Sequence, residues 1–432
     1  MDVGNLPNLV TNTTSENAYA QESCLEDDGI EFESLHVLSI ASDYQSTDLS
    51  LLLPCDGMQV DNQLSILHLL KAYGEALEME ITELADAITM RLKEKSCPTG
   101  SIWQRLSYYF IQALDEQVKS PLREEAGMNY EIAFNVFYQI FPYGRFAHFT
   151  ANSVILEAIP KNAEIVHIVD FEIGNGIQWP PVIEALAMQD AKFLRLTSIK
   201  WEEEGNYEYT KLLLYEHGRN FGLRLKVEEM DLESFASEMK ETKESGEGTE
   251  FLAFNCMVGL PHMDKRISVK SVIKFLKVAK DAINLNCNNG GGIITFGDGI
   301  GWGKGIRGWN RNGYISIFEG QLAQFKILLQ SIETHFPHHL KEARIAIECL
   351  FLVPYISSLI DIQMWKHISR EIRTLSELGL EPWRMRIENL MEAKELVREE
   401  ESFYWVSFEG VKHNQMVLGY METPVTKVSS WR

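Results

Sequence analysis

Between Leu64 and Leu92 apolar side chains recur at three- and four-residue steps: Ile66, Leu70, Tyr73, Leu77, Leu84, Ile88 and Leu92. Charged Glu75, Glu78, Asp86 and Lys93 fall largely between them, and the register slips once around Ile81. That is the period of amphipathic helix. The stripe suits either of two uses, a helix pair between chains or the chain's own core. A second helix is predicted over Ser101 to Val118 and a third over Tyr130 to Phe141. A fourth follows in "FAHFTANSVILEAI", with Thr150 or Asn152 as the expected cap.

After Ile159 the period shortens. "EIVHIVDF", "FLRLTSI", "RLKVEEM", "FLAFNCM" and "GGIITFGD" are short apolar runs rich in β-branched and aromatic residues, separated by helical stretches such as Pro180 to Gln189 and Tyr207 to Phe221. Strands alternating with helices predict a mostly parallel sheet covered on both faces. Further helices are expected at Phe318 to Phe336, Ile360 to Leu378 and Asn389 to Glu399, and two or three late strands after Phe403. The division predicted is an acidic, mostly disordered segment over residues 1–62, a helical cap over 63–160 and an α/β core over 161–432.

Composition adds to this picture mainly through charge. The 432 residues carry a net charge of −22, and residues 1–60 hold eleven acidic side chains with no Lys or Arg. No basic run is present, so the chain is poorly suited to neutralise DNA phosphates by itself. Within the acidic segment, Cys24 to Ala41 interleaves acidic and bulky apolar residues, and Leu49 to Leu53 has L-x-x-L-L spacing. Both textures suit a segment that folds onto a partner or staples onto the following domain. The six cysteines are scattered without C-x-x-C spacing, which argues for free thiols in a reducing compartment and against zinc. No apolar run reaches the ~20 residues of a membrane span, and no secretory leader is read at the N-terminus.

The stretch "IVHIVDFEIGNGIQW" poses the chemical question, because a strand running into Asp170 and a glycine loop is how many nucleotide sites begin. An adenosyl ligand of the class I methyltransferase type wants glycine at the second, fourth and sixth positions after the acid. Gly174 and Gly176 stand at the fourth and sixth, but Glu172 occupies the second. At the end of the next strand Lys200 stands where a ribose-binding carboxylate is wanted; Glu202 to Glu204 come late, and Asp231 is acceptable beyond the third strand. The loop therefore reads as a vestige that binds no cofactor, with Asp170 tying it to its own sheet. The glycine cluster from Gly290 to Gly313 fails the phosphate-loop pattern at Asp298 and Gly305 and is predicted to be a surface loop. No nucleophile elbow or metalloprotease motif occurs; His167 inside its strand reads as a hydrogen-bonded core residue, and His335, His338 and His339 lack a Cys or carboxylate at ligand spacing.

In its order of blocks the chain resembles the plant GRAS family of transcriptional regulators from about Gln63 to Arg432. Val166, His167, Ile168, Val169 and Asp170 look like that family's VHIID block, and Ser429, Ser430 and Trp431 look like its terminal SAW block. Leu64 to Leu92 is similar to its first leucine-rich repeat and "KLLLYEHGRNFGL" to its second. The PFYRE-like region keeps Arg344 and Glu348 without the usual charged run. No DELLA-type motif stands in the N-terminal segment, and "FNCMVGLPHM" looks most like the nodulation-signalling pathway 2 group of the family. The resemblance implies a methyltransferase-like Rossmann core under a helical cap, and no enzymatic activity. It also implies a nuclear or nucleocytoplasmic location and work through homo- or heterodimers with other GRAS proteins and DNA-binding transcription factors, with DNA reached through the partners. The partner-binding face expected on the cap is Ile66, Leu70, Tyr73, Leu77 and Leu84. The competing reading is an S-adenosylmethionine-dependent small-molecule methyltransferase.

Overall fold

The computed structural model describes residues 62–114, 127, 130–189, 193–201, 207–245, 250–261, 263, 269–286, 291–299, 302–336, 340–360, 378–398 and 403–432. The acidic segment with its L-x-x-L-L spacing, Glu202 to Glu204, His338, His339 and most of the helix expected from Ile360 to Leu378 lie outside them.

Five parallel strands form where the short apolar runs fall: β1 (Ile165–Asp170), β2 (Phe193–Ile199), β3 (Arg224–Met230), β4 (Glu250–Val258) and β5 (Gly292–Asp298). Three more come late, β6 (Tyr404–Glu409), β7 (Gln415–Tyr420) and β8 (Thr423–Trp431), and all eight join one sheet in the order β3-β2-β1-β4-β5-β8-β7-β6. β1 pairs in parallel with β2 and β4, Ile168 lying opposite Leu196 and Ala253. β8 runs antiparallel to both β5 and β7, joining the parallel part of the sheet to the late hairpin. β1, β4 and β5 are buried almost end to end, as strands covered on both faces must be.

The crossover helices are α6 (Pro180–Ala187) after β1, α7 (Tyr207–Asn220) after β2, α8 (Leu232–Ser245) after β3 and α9 (Val269–Leu285) after β4. Before the sheet come α1 (Asn62–Glu78), α2 (Thr82–Lys95), α3 (Ile102–Leu114), α4 (Tyr130–Ile140) and α5 (Pro142–Ala158). The slip in the leucine stripe is the turn between α1 and α2, where Glu80 takes a φ of 59°. α5 starts earlier than its sequence suggests, with Phe141 as N-cap and Pro142 at its first position. Proline there gives up an N–H that would have no partner within the helix; Thr150 and Asn152 lie inside the helix and are buried.

α10 (Trp302–His335) also departs from expectation, since its first half covers the cluster Gly303, Gly305, Gly308 and Gly313 that reads as a loop. Each glycine costs about 1 kcal/mol against alanine in a helix. Once the packed half nucleates the helix, however, each further residue adds a hydrogen bond without a new nucleus. Tyr314, Phe318, Phe325, Leu328, Leu329 and Ile332 of that half are buried. α11 (Lys341–Ile347) continues through a π-helical segment (Glu348–Leu352) into α12 (Val353–Ile360), and α13 (Ile387–Leu396) precedes the last strands. The helical layer is discontinuous in sequence, because α10 packs on α1 and α3, and α12 on α3.

Candidate functional site

The loop after β1 is closed by its own chain. Asp170, buried at the strand's end, accepts hydrogen bonds from Trp179 Nε1 at 2.9 Å and Asn255 Nδ2 at 3.0 Å. Trp179 is the N-cap residue of α6 and Asn255 lies on β4, so one carboxylate ties strand, helix start and neighbouring strand together. Burial pushes Asp170 up to about 7, against the pull of the Asn255 and Trp179 hydrogen bonds. Asn255 also exchanges hydrogen bonds with Gln178 (3.1 and 3.2 Å) and accepts from Thr295 Oγ1 of β5 at 3.0 Å. Gln178 in turn donates to Asn152 Oδ1 of α5 at 3.1 Å, and Asn152 Nδ2 donates to the Gln178 carbonyl at 2.8 Å. Asp170, Asn255, Gln178, Thr295 and Asn152 are all buried, and they satisfy one another.

The glycines serve this closure. Gly174 and Gly176 take positive φ, 53° and 73°. A Cβ on Gly176 would stand 2.8 Å from Thr210 Cγ2 of α7, while Gly174 faces open space. Thr210 Oγ1 donates to the Gly174 carbonyl at 2.9 Å, so α7 holds the loop from outside. At the end of β2, Trp201 packs on Phe171 with ring centroids 4.8 Å apart and donates its indole N–H to the Phe171 carbonyl at 2.7 Å. An adenosyl group needs close approach at Gly176, a free carboxylate at β1 and a ribose acid after β2. Here the first is filled by Thr210, the second is engaged, and exposed Lys200 stands at the third. The residues present do not fit such a ligand.

His167 lies fully buried in β1, with Nε2 2.8 Å from Thr197 Oγ1 and Nδ1 3.0 Å from Glu250 Oε1. Burial raises the Glu250 carboxyl, but the His167 hydrogen bond and charge outweigh it and hold the group below its ordinary value. Val166, Ile168 and Val169 are core residues. At the other end of the chain, Ser429 Oγ donates to the Phe296 carbonyl at 3.2 Å and accepts from Trp431 Nε1 at 2.8 Å, while Ser430 Oγ donates to the Trp383 carbonyl at 2.7 Å. These three residues fasten β8 to β5 and to the segment before α13.

The stripe on the first two helices is placed differently from a pairing face. Ile66, Leu70 and Tyr73 are buried in the chain's own core, where α1 meets α3 and α10. Leu77 and Leu84 are half-buried at the turn between α1 and α2, beside exposed Met79. The helical layer owes its cohesion to a polar cluster that the sequence does not announce. Arg105 of α3, fully buried, donates to Glu348 Oε1 at 2.9 Å and lies 3.1 Å from Glu333. Tyr109 donates to Glu348 Oε2 at 2.6 Å, and Arg344 lies 3.5 Å from Glu348. Burial raises the Glu348 carboxyl even against Arg105, Tyr109 and Arg344. The Arg and Glu of the PFYRE-like region thus serve one buried ion-pair cluster.

The GRAS domain family matches residues 66–432. The chain belongs to the GRAS domain family. It is 31% identical over 317 residues to Protein NODULATION SIGNALING PATHWAY 2 of Lotus japonicus, covering 68% of this chain and 60% of that protein. It is 27% identical over 413 residues to the protein of the same name from Medicago truncatula, covering 85% of this chain and 76% of that one. The crystal structure of SCL7 from Oryza sativa superposes with a TM-score of 0.61 at 21% identity, over 85% of this chain and 99% of the other, and bears out the Rossmann-like core. No helix among the described residues is long and apolar enough to cross a membrane.

Proposed function

We propose that this GRAS protein is a transcriptional co-regulator of plant developmental or symbiotic signalling, without catalytic activity, that works in the nucleus through other GRAS proteins and DNA-binding factors. The observation that carries this reading is the closed loop after β1, because the place where the fold would present a ligand is occupied by the chain's own Thr210, Trp179 and Trp201. A fold whose ligand site is filled from within has its surface to offer. The net charge of −22 supports reaching DNA through partners, since releasing phosphate counterions needs cationic side chains in number. On the cap, the partner contact is assigned to the α1–α2 turn, where Leu77, Leu84 and Met79 keep exposed apolar surface.

Calorimetric titration of the full chain with S-adenosylmethionine is expected to show no binding. Micromolar binding lost on Gly174→Val would overturn the non-enzyme reading. In parallel, Leu77→Glu with Leu84→Glu is expected to abolish capture of GRAS partners from plant tissue with the melting temperature little changed; undiminished capture would place the contact elsewhere. A gel shift by the purified chain alone, tight and salt-sensitive, would overturn the partner-dependent view of DNA.

A further inference from the structure

β3 forms one margin of the eight-stranded sheet, and among the described residues no strand pairs with its outer side. A bare margin of this kind is a template for another strand, and proteins take steps to blunt it. In a parallel pair, alternate residues address opposite neighbours. Met230 turns its carbonyl inward to Lys200 N at 2.9 Å, so Leu225, Val227 and Glu229 are the residues whose backbone groups point outward. At the middle one a side chain has taken both groups. The Tyr215 hydroxyl, reaching over from α7, accepts from Val227 N at 3.0 Å and donates to Val227 O at 3.4 Å.

The strand around this point is self-complementary. If a second copy ran antiparallel to β3 about a two-fold axis at Val227, Val227 would face itself and Leu225 would face Glu229, the outward groups meeting as hydrogen-bonded pairs. Between them Lys226 would face Glu228 of the other copy twice over, which places opposite charges across each non-hydrogen-bonded pair. Lys226 is half-exposed and already lies 2.8 Å from its own Glu228, so both side chains stand on the required face. Leu212, one turn before Tyr215 on α7, is 62% exposed. The tyrosine hydroxyl sits on the centre of the pairing, where the axis would pass.

We propose that β3 is a self-complementary sheet margin held closed by Tyr215, and that its occupant when opened is a second copy of this chain. The device is independent of the regulator reading and concerns a surface remote from the α1–α2 turn. Removing the side chain beyond Cβ by Tyr215→Ala takes away the hydroxyl, clears the ring from the space an incoming strand needs and returns the Val227 N–H and C=O to the margin.

Sedimentation velocity on the 432-residue chain over a concentration series tests it. Tyr215→Ala is expected to self-associate at a concentration at least about tenfold lower than the wild type, the factor that a single net hydrogen bond supplies, since the closure is lost on both copies. Adding Lys226→Glu is expected to restore wild-type behaviour, because a carboxylate then faces Glu228. Association of Tyr215→Ala no stronger than wild type would overturn the proposal, as would a double variant that associates as readily as the single one. Should Tyr215→Ala fail to fold, amide exchange in the wild type decides. Val227 is expected to exchange about tenfold more slowly than the outward amides of Leu225 and Glu229, and equal rates would overturn the closure.

Discussion

Asp170 is a carboxylate held in the core by two neutral donors, with a pKa raised by burial to about 7 from an ordinary value of 3.8. Between about pH 4 and pH 7 the unfolded chain gives up this proton while the folded chain keeps it. Ionisation therefore works against folding, and this residue's contribution to stability falls as pH rises through that window. Relative to Asp170→Asn, the wild type should lose stability from pH 4.5 to 7.5, by at most about 1.4 kcal/mol per pH unit. Parallel melting curves for the two proteins across that range would refute the assignment. The glycines beside it make a second test. Both Gly176→Ala and Gly174→Ala strain a positive φ, at about 1–2 kcal/mol each, but only the first drives a Cβ to 2.8 Å from Thr210. Chemical denaturation should find Gly176→Ala the more destabilising; equal losses would mean that α7 does not hold the loop.

The helical layer depends on contacts between elements far apart in the chain. Arg105 and Glu348 are 243 residues apart, and both are fully buried. Arg105→Ala leaves Glu348 without its main cation in a site that already disfavours charge. The expected cost is about 3–5 kcal/mol, read from denaturant unfolding, and a loss below 1 kcal/mol would show that Arg344 and Tyr109 suffice. This pair also marks the limit of what could be read beforehand. β1 to β5 were legible because a buried strand must be short, apolar and bounded by turn residues, and the Asp170–Gly174–Gly176 loop because its spacing is local. Arg105 leaves no such trace: an arginine in an amphipathic helix reads as a solvated side chain until the glutamate that buries it is located. The leucine stripe was legible as a face but not as a destination, since periodicity shows that Leu70 is covered and not by what. The glycine-rich half of α10 reads as a loop because propensity is local, whereas the reason for that helix lies in packing from Tyr314 onward.

At the scale of the whole molecule, the two surfaces proposed for partners are the α1–α2 turn of the cap and the β3 margin at one end of the strand order. Between the margins sits β8, with β5 on one side and β7 on the other, fastened by Ser429, Ser430 and Trp431. β8 is made after every other strand yet belongs inside the sheet, flanked by strands that cannot reach each other without it. A chain that has not yet formed β8 therefore holds a sheet with a gap, its parallel half and its late hairpin waiting on nine residues, and until those nine pair, β5 stands as a raw margin open to chaperones and to other unfinished chains.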